Sequence, residues 1–440
     1  MLHTESPQPS LQESFKTIPI NPQWPWWRKM LAFAGPGYLV AVGYMDPGNW
    51  ATDLAAGSAF NYKLLSVVFL SNMMAILLQY LAAKLGIARG RDLAQACKEY
   101  FSPAINFILW ILCEVAICAC DLAEIIGSAI ALKLLFGIPL VWGVGLTTID
   151  VFALLSLQRG YFRYLEWFVV ILMSIIAGCF LFELIVSQPS IMNILHGLIP
   201  HPDIITHPNM LYLAIGIIGA TVMPHNLYLH SSVVQTRGYE RTPSGKKEAL
   251  HFITIDTTCA LMLAFCINAA ILIIAASVFH SRGYFHVTEL EEAYRLLTPL
   301  LNVPLASTLF ALALLASGQN SAITGTLAGQ IVMEGFLNIQ LAPWLRRFIT
   351  RGLAVIPAFI CVLMYGESEI AQLLLISQII LSFQLTFAVI PLIIFTSDKE
   401  KMGSFVNSWA VSCGAWLSAG IIISLNMLYI FNFFSAALLQ

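Results

Sequence analysis

The chain has 440 residues, of which 58% are hydrophobic and only 10% charged, with a mean hydropathy of +0.79 and a formal net charge of −2. That is too little polar surface to coat a soluble globule of this length. Apolar stretches of about twenty residues, rather than ten-residue alternation, exclude a β-barrel and predict an all-α integral membrane protein.

The chain opens with a polar, Pro-rich segment through Pro25 that lacks the basic, apolar and small-residue succession of a cleavable signal. Residues 1–30 are expected to form a disordered cytoplasmic tail. Eleven spans follow, at 33–59, 62–87, 103–135, 139–157, 164–187, 209–236, 247–279, 301–333, 347–365, 368–397 and 404–431. With the N-terminus in the cytoplasm, eighteen of the 22 Lys and Arg fall on that side. Lys63, Lys133, Arg282 and Arg295 fall on the other, a strong positive-inside bias that places the C-terminus outside. The nine cysteines lie mostly within apolar segments and without metal-ligand spacing, so free thiols are expected.

Two tetrapeptides interrupt long apolar runs: Asp46-Pro47-Gly48-Asn49 in span one and Met223-Pro224-His225-Asn226 in span six. They share Pro and Asn in the same slots and lie five spans apart. An odd number of spans per repeat makes the second copy enter the membrane from the opposite side. The expected architecture is therefore two inverted five-helix repeats, 31–200 and 201–400, with an eleventh helix in 401–440. Broken helices in matching positions of two such halves point to a binding site near the bilayer midplane.

Pro47 and Pro224 each remove an amide donor, and Gly48 relaxes the backbone beside the first, so carbonyls near Gly43 and Ala220 lose their helical partners. In a membrane such carbonyls need a new donor or an ion. Asp46 adds a carboxylate, Asn49 an amide oxygen and Met223 a thioether. Taken singly, a membrane-helix Pro is a kink, Asn an interhelical hydrogen bond and Met a packing residue. Asp46 is different, because an ionisable group in mid-span marks a transport path or proton relay. Span three carries Glu114, Asp121 and Glu124 at steps of seven and three, which place them on one broad helical face. With His225 beside the break in span six, they favour a proton route over a structural ion pair.

These residues carry a resemblance. The chain resembles the Nramp family of divalent transition-metal transporters, close to its bacterial proton-coupled manganese branch. Matching stretches are Gly35-Pro36-Gly37, the two tetrapeptides, Lys84-Leu85-Gly86-Ile87, Gly90-Arg91-Asp92-Leu93-Ala94, Gly325-Thr326-Leu327-Ala328-Gly329-Gln330 and Ser377-Gln378, spread over residues 30 to 395. The resemblance implies the fold of sodium-coupled amino-acid transporters. It implies Asp46, Asn49 and Met223 as metal ligands, with the Gly43 and Ala220 carbonyls adding oxygens and Gln378 approaching when the site closes. It further implies Asp46, Asp121, Glu124 and His225 as proton-linked residues, Glu114 farther along, Arg237 as their cytoplasmic-side partner and Asn268 as a support. Gly43 stands where the family commonly has alanine, a change expected to alter flexibility more than ligation.

The expected function is import of Mn²⁺, Fe²⁺ and also Cd²⁺ or Co²⁺ with protons, by alternating access in a bacterial inner membrane. A monomer without cofactor or nucleic-acid partner is expected. A thioether tolerates these ions better than Ca²⁺ or Mg²⁺, which prefer oxygen-only shells. The alternatives are a related Mg²⁺ carrier, disfavoured by Met223, and a carrier of a small organic substrate on the same fold, which has no need of Asp46. An enzyme is not expected, since no nucleophile, cofactor motif or soluble domain supports one.

Overall fold

The computed structural model describes residues 10–147, 158–337 and 370–438, with scattered positions between 345 and 364. About half of the span expected at 347–365 and most of that at 139–157 fall outside these residues, and 140–147 is helical. The main helices are α1 (Trp26–Phe33), α2 (Pro36–Gly43), α3 (Pro47–Phe60), α4 (Leu65–Arg89), α5 (Leu93–Tyr100), α6 (Pro103–Phe136) and α7 (Gln158–Ser187). They continue with α8 (Pro208–Val222), α9 (Pro224–Val233), α10 (Pro243–Ile274), α11 (Leu290–Leu301), α12 (Ala306–Leu337), α13 (Ile370–Ser397) and α14 (Trp409–Leu438). Among the described residues seven helical stretches are long and apolar enough to cross a membrane, which makes this a multi-pass membrane protein. They comprise α4, α6, α7, the α8–α9 run, α10 with its extension, α13 and α14.

Two of the expected spans that the described residues cover stand outside that set for physical reasons. Span one is divided into α2 and α3, of 8 and 14 residues, neither long enough to cross alone. Helix α12 has 32 residues, but Gln319, Asn320, Ser321, Thr324 and Thr326 dilute its apolar character. It lies along α6 and α7, so Asn320, Ser321, Thr324 and Thr326 are buried in protein and not in lipid. Around it, α10 packs on α4 and α2, and α8 packs on α13 and α4.

Helix boundaries follow local chemistry. Asp46 caps α3, its Oδ1 accepting the Asn49 amide at 2.9 Å with Pro47 at the first helical position. Asp92 and Gln95 form a reciprocal capping box on α5. Gly90 ends α4 with φ 67°, a left-handed cap that a residue with a side chain adopts only at a cost.

The N-terminal segment departs from expectation. Residues 1–30 were expected to be a disordered tail, yet from residue 10 onward the chain is built into the fold. Ile18 and Pro19 form a short strand, β1, paired in parallel with β2 (Arg237–Gly238) just beyond α9. Ser10 Oγ donates to Asp92 Oδ2 at 2.6 Å, the Leu11 amide to Glu334 Oε2 at 3.2 Å, and the Lys16 amide to the Gln235 carbonyl at 3.2 Å. Leu11 is buried, Phe33 stacks on Phe252 at 5.3 Å, and Lys29 pairs with Glu248 at 2.5 Å. Leu11 and Ile18 supply apolar anchors that a polar, Pro-rich average conceals. Deleting residues 1–19 is expected to raise amide exchange at 234–238 and 90–95, read by hydrogen–deuterium exchange in detergent. Unchanged protection there would show that the segment rests on the bundle without stabilising it.

Candidate metal and proton site

The break in span one spans Tyr44, Met45 and Asp46, and its backbone is fully accounted for. Pro47 has no amide to offer the Gly43 carbonyl, which instead accepts from the Asp46 amide at 3.3 Å in a tighter turn. The Tyr44 carbonyl accepts Asn268 Nδ2 from α10 at 2.7 Å. The Met45 carbonyl accepts the Trp50 indole at 3.0 Å and the Ser317 hydroxyl from α12. At the second break Pro224 leaves the Ala220 carbonyl without its helical donor, and Asn49 Nδ2 takes that place at 2.9 Å. Met223 sits at the break with φ 29°, a left-handed backbone that is strained for any residue with a side chain.

The expected ligand residues are brought together here. Asp46, Asn49, Met223, Ala220 and Gln378 are all buried. Asn49 Nδ2 also donates to Asp46 Oδ1 at 2.7 Å, and Asp46 Oδ2 is buried without a partner. Asn49 was expected to present its amide oxygen. In this structure the NH₂ group faces Asp46 and Ala220, while Oδ1 lies 3.4 Å from Asn268 Nδ2. Gln378 of α13 rests against the backbone at Gly48, so closely that a β-carbon there would overlap its amide. Gln378 Nε2 donates to Ser377 at 2.8 Å and Oε1 is unpartnered. Among the described residues no cluster of three His, Cys, Asp or Glu exists that could hold a metal. A site here would use one carboxylate, amides, a thioether and carbonyls.

The acids of span three also converge. A β-carbon at Gly325 of α12 would lie 2.5 Å from Asp121 Oδ1 and 3.2 Å from Glu124 Oε2, so both carboxylates crowd a point where α12 carries no side chain. Met223 packs with Ala116 and Cys120 of α6, and the Cys120 thiol donates to Glu124 Oε1 at 3.5 Å. Contact therefore runs from the thioether to the acids through Cys120, a residue the motif reading passed over. Glu114 lies farther down α6 and accepts the Trp110 indole at 3.0 Å. His225 is buried with Nδ1 unpartnered. His230, one turn on, is held at both ring nitrogens, by Gln79 at 3.1 Å and Thr257 at 3.3 Å.

Arg237 requires a correction. Expected to partner the proton-linked acids, it is bound instead to Glu166 of α7, at 2.6 Å and 3.1 Å, and to the Ala34 carbonyl at 2.7 Å. Arg163 adds bonds to Glu166 at 2.9 Å and to the Leu31 and Ala34 carbonyls. Asp256 of α10 accepts the Gly35 and Gly37 amides at 3.2 Å and 2.7 Å. The junction of α1 and α2 is thus clamped by cations on its carbonyl end and by an anion on its amide end, each satisfying helix-terminal groups and opposing the local dipole. Glu166, Asp256, Asp53 and Glu183 were absent from the expected site, although each is an acid within an apolar run, the signal that singled out Asp46.

Removing one partner from a buried ion pair leaves the other charge uncompensated. Arg237→Ala is therefore expected to cost about 3–5 kcal/mol, and Asp256→Asn, which weakens a helix cap, about 1–2 kcal/mol. Thermal unfolding of the purified protein in detergent would rank them; an Arg237→Ala protein as stable as the parent would refute the clamp.

Residues 37–432 match the family described as natural resistance-associated macrophage protein-like. The chain is 59% identical over 418 residues to the divalent metal cation transporter MntH of Bradyrhizobium diazoefficiens, covering 95% of this chain and 93% of that one. It is 58% identical over 419 residues to MntH of Nostoc sp., covering 95% of each. Among solved structures, the manganese transporter of Eremococcus coleocola in complex with an aromatic bis-isothiourea substituted compound superposes with a TM-score of 0.87 at 42% identity, over 96% of this chain and 90% of that one. The nucleobase-cation-symport-1 family transporter Mhp1, in a closed conformation, superposes with a TM-score of 0.58 at 15% identity over 92% and 91%, a likeness of fold alone. Since the family match runs through both broken helices and almost to the end of the last, the chain belongs to the Nramp family of membrane transporters and is not an enzyme.

Proposed function

We propose that the chain imports divalent transition metal ions, Mn²⁺ and Fe²⁺ and also Cd²⁺ or Co²⁺, coupled to protons and by alternating access. The observation that carries this reading is the meeting of Asp46, Asn49, the Ala220 carbonyl and the Met223 break in one buried site. A carboxylate, amide and carbonyl oxygens and a thioether make a mixed hard and soft donor set, which suits these ions better than Ca²⁺ or Mg²⁺. The names of the relatives, divalent metal cation transporter and manganese transporter, support it.

In this reading the Asn49 NH₂ group stands in for a cation, since it satisfies Asp46 Oδ1 and the Ala220 carbonyl together. Metal entry turns the amide so that Oδ1 faces the ion, with the Gly43 carbonyl and Gln378 completing the shell. Binding needs Asp46 ionised, so metal arrival displaces its proton toward His225, Asp121, Glu124 and Glu114. Arg237 contributes from the cytoplasmic clamp, which must release α2 when the site opens inward. Asn268, Pro47, Gly48 and Pro224 support the geometry.

The same proposal includes eleven spans in two inverted repeats over 31–200 and 201–400, with a final helix in 401–440. It places a monomer in a bacterial inner membrane, N-terminus inside and C-terminus outside, with β1 and the β2 strand it pairs with both on the cytoplasmic side. Proteoliposomes loaded with a metal-sensing dye and a pH dye test the reading. Asp46→Asn is expected to lower Mn²⁺ uptake at least about tenfold, the scale of a charged interaction, and to abolish metal-driven acidification. Met223→Ala is expected to retain Mn²⁺ uptake while Ca²⁺ and Mg²⁺ begin to compete. Coupled proton flux that survives Asp46→Asn would count against Asp46 as the exchanging group. Mg²⁺ transport by the parent protein would favour the Mg²⁺ carrier instead.

A further inference from the structure

Asn226 belongs to the second tetrapeptide yet has no part in the reading above. It lies three residues after Met223, in the first turn of α9, and its backbone amide donates to the Met223 carbonyl at 3.2 Å. Its side chain turns back on the same residue. Nδ2 lies 3.6 Å from Met223 Sδ and 3.3 Å from the Val40 carbonyl of α2, while Oδ1 is buried without a partner. A buried amide with an orphan oxygen is an arrangement with a standing cost. Asn226 is as deeply enclosed as the methionine it touches.

Space for this contact comes from across the site. A β-carbon at Gly43 would overlap Asn226 Nδ2 and would lie 3.1 Å from Met223 Sδ. The amide therefore fills the position that any side chain at residue 43 would claim. Gly43, whose carbonyl already closes the turn onto Asp46, has a second use as the floor on which the amide and the thioether meet.

Methionine has three rotatable bonds and adapts to irregular gaps, so a thioether is a poor fixed ligand unless something limits its rotamers. Met223 also carries a strained backbone, which alone would not fix its sulfur. We propose that Asn226 is a positioning residue for selectivity: seated over Gly43, it holds the Met223 thioether toward the metal position. This rests on the proposed metal-transport reading and adds to it a means by which softness is built into the site.

The test compares Asn226→Leu, which keeps the bulk and removes the amide, Gly43→Ala, which claims the amide's place, and Asn226→Leu combined with Met223→Ala. Proteoliposome uptake is measured for Mn²⁺ and Cd²⁺ with Ca²⁺ as competitor. Asn226→Leu is expected to lower the Cd²⁺/Mn²⁺ ratio and strengthen Ca²⁺ inhibition by about fivefold, the scale of one modest polar contact. Gly43→Ala should shift both in the same direction. In the Met223→Ala background Asn226→Leu should shift neither, since no sulfur remains to be held. A merely structural Asn226 would lower all uptake equally and add to Met223→Ala. That result, or unchanged ratios in Asn226→Leu, overturns the proposal. Failure of the underlying reading has a separate signature, namely Met223→Ala itself leaving selectivity unchanged. Should Asn226→Leu not fold, Asn226→Ser, whose short side chain cannot reach the sulfur, is read by the same two ratios and the same Met223→Ala background.

Discussion

The structure depends on the demand that every backbone carbonyl inside a membrane find a donor. Two prolines break that rule locally, at Pro47 and Pro224, and the rest of the bundle supplies what they withhold. Gly43 closes on Asp46, while Tyr44, Met45 and Ala220 draw in Asn268, Trp50, Ser317 and Asn49. Those donors come from α3, α10 and α12, so the breaks tie together helices far apart in sequence. A site made this way is polar only where the helices are interrupted.

The same requirement explains the second buried cluster. Between Leu31 and Gly37 the chain ends one helix and starts another, which leaves carbonyls and amides without intrahelical partners. Arg237, Arg163 and Asp256 take them up, and Glu166 balances the two guanidinium groups. Buried charge is costly unless paired and hydrogen-bonded, and here each ion serves a helix end as well as its counter-ion. β2 begins at Arg237 itself and pairs with β1, so the N-terminal segment bears directly on the backbone that carries the clamp's central cation.

The breaks were legible because Pro, Gly and an acid in mid-span conflict with an uninterrupted membrane helix. Asp46, Met223 and Asn49 could be singled out from one sequence for that reason, and spacing alone put Asp121 and Glu124 on one face of α6. Pairing across helices was not legible. Nothing local links Arg237 to Glu166, 71 residues away, or Tyr44 to Asn268, 224 residues away. Asn49 shows a subtler limit: its position at the site follows from sequence, but which end of its amide faces Asp46 depends on whether a donor or a cation satisfies the carboxylate. The N-terminal segment was misjudged because composition averages over a stretch, whereas docking needs only a few apolar residues at the right positions, here Leu11 and Ile18.

Asp46 Oδ2 and the Gln378 amide meet beside Gly48, and both Asp46 Oδ2 and Gln378 Oε1 are buried acceptors without a donor. An apolar interior does not tolerate that surplus without compensation, which comes as a proton on the carboxylate or as a cation among the oxygens. The two are mutually exclusive at Asp46, so the proposed exchange of metal for proton requires no separate coupling element beyond this carboxylate. What the oxygens do not provide is discrimination among divalent ions, since hard donors alone would accept Mg²⁺ and Ca²⁺ as well. In the proposed site discrimination comes from the single sulfur, and a flexible thioether discriminates only if its position is held. In this chain a polar group in contact with it is the Asn226 amide, resting on Gly43, so in the proposed site selectivity depends on backbone space at Gly43 as much as on the ligand itself.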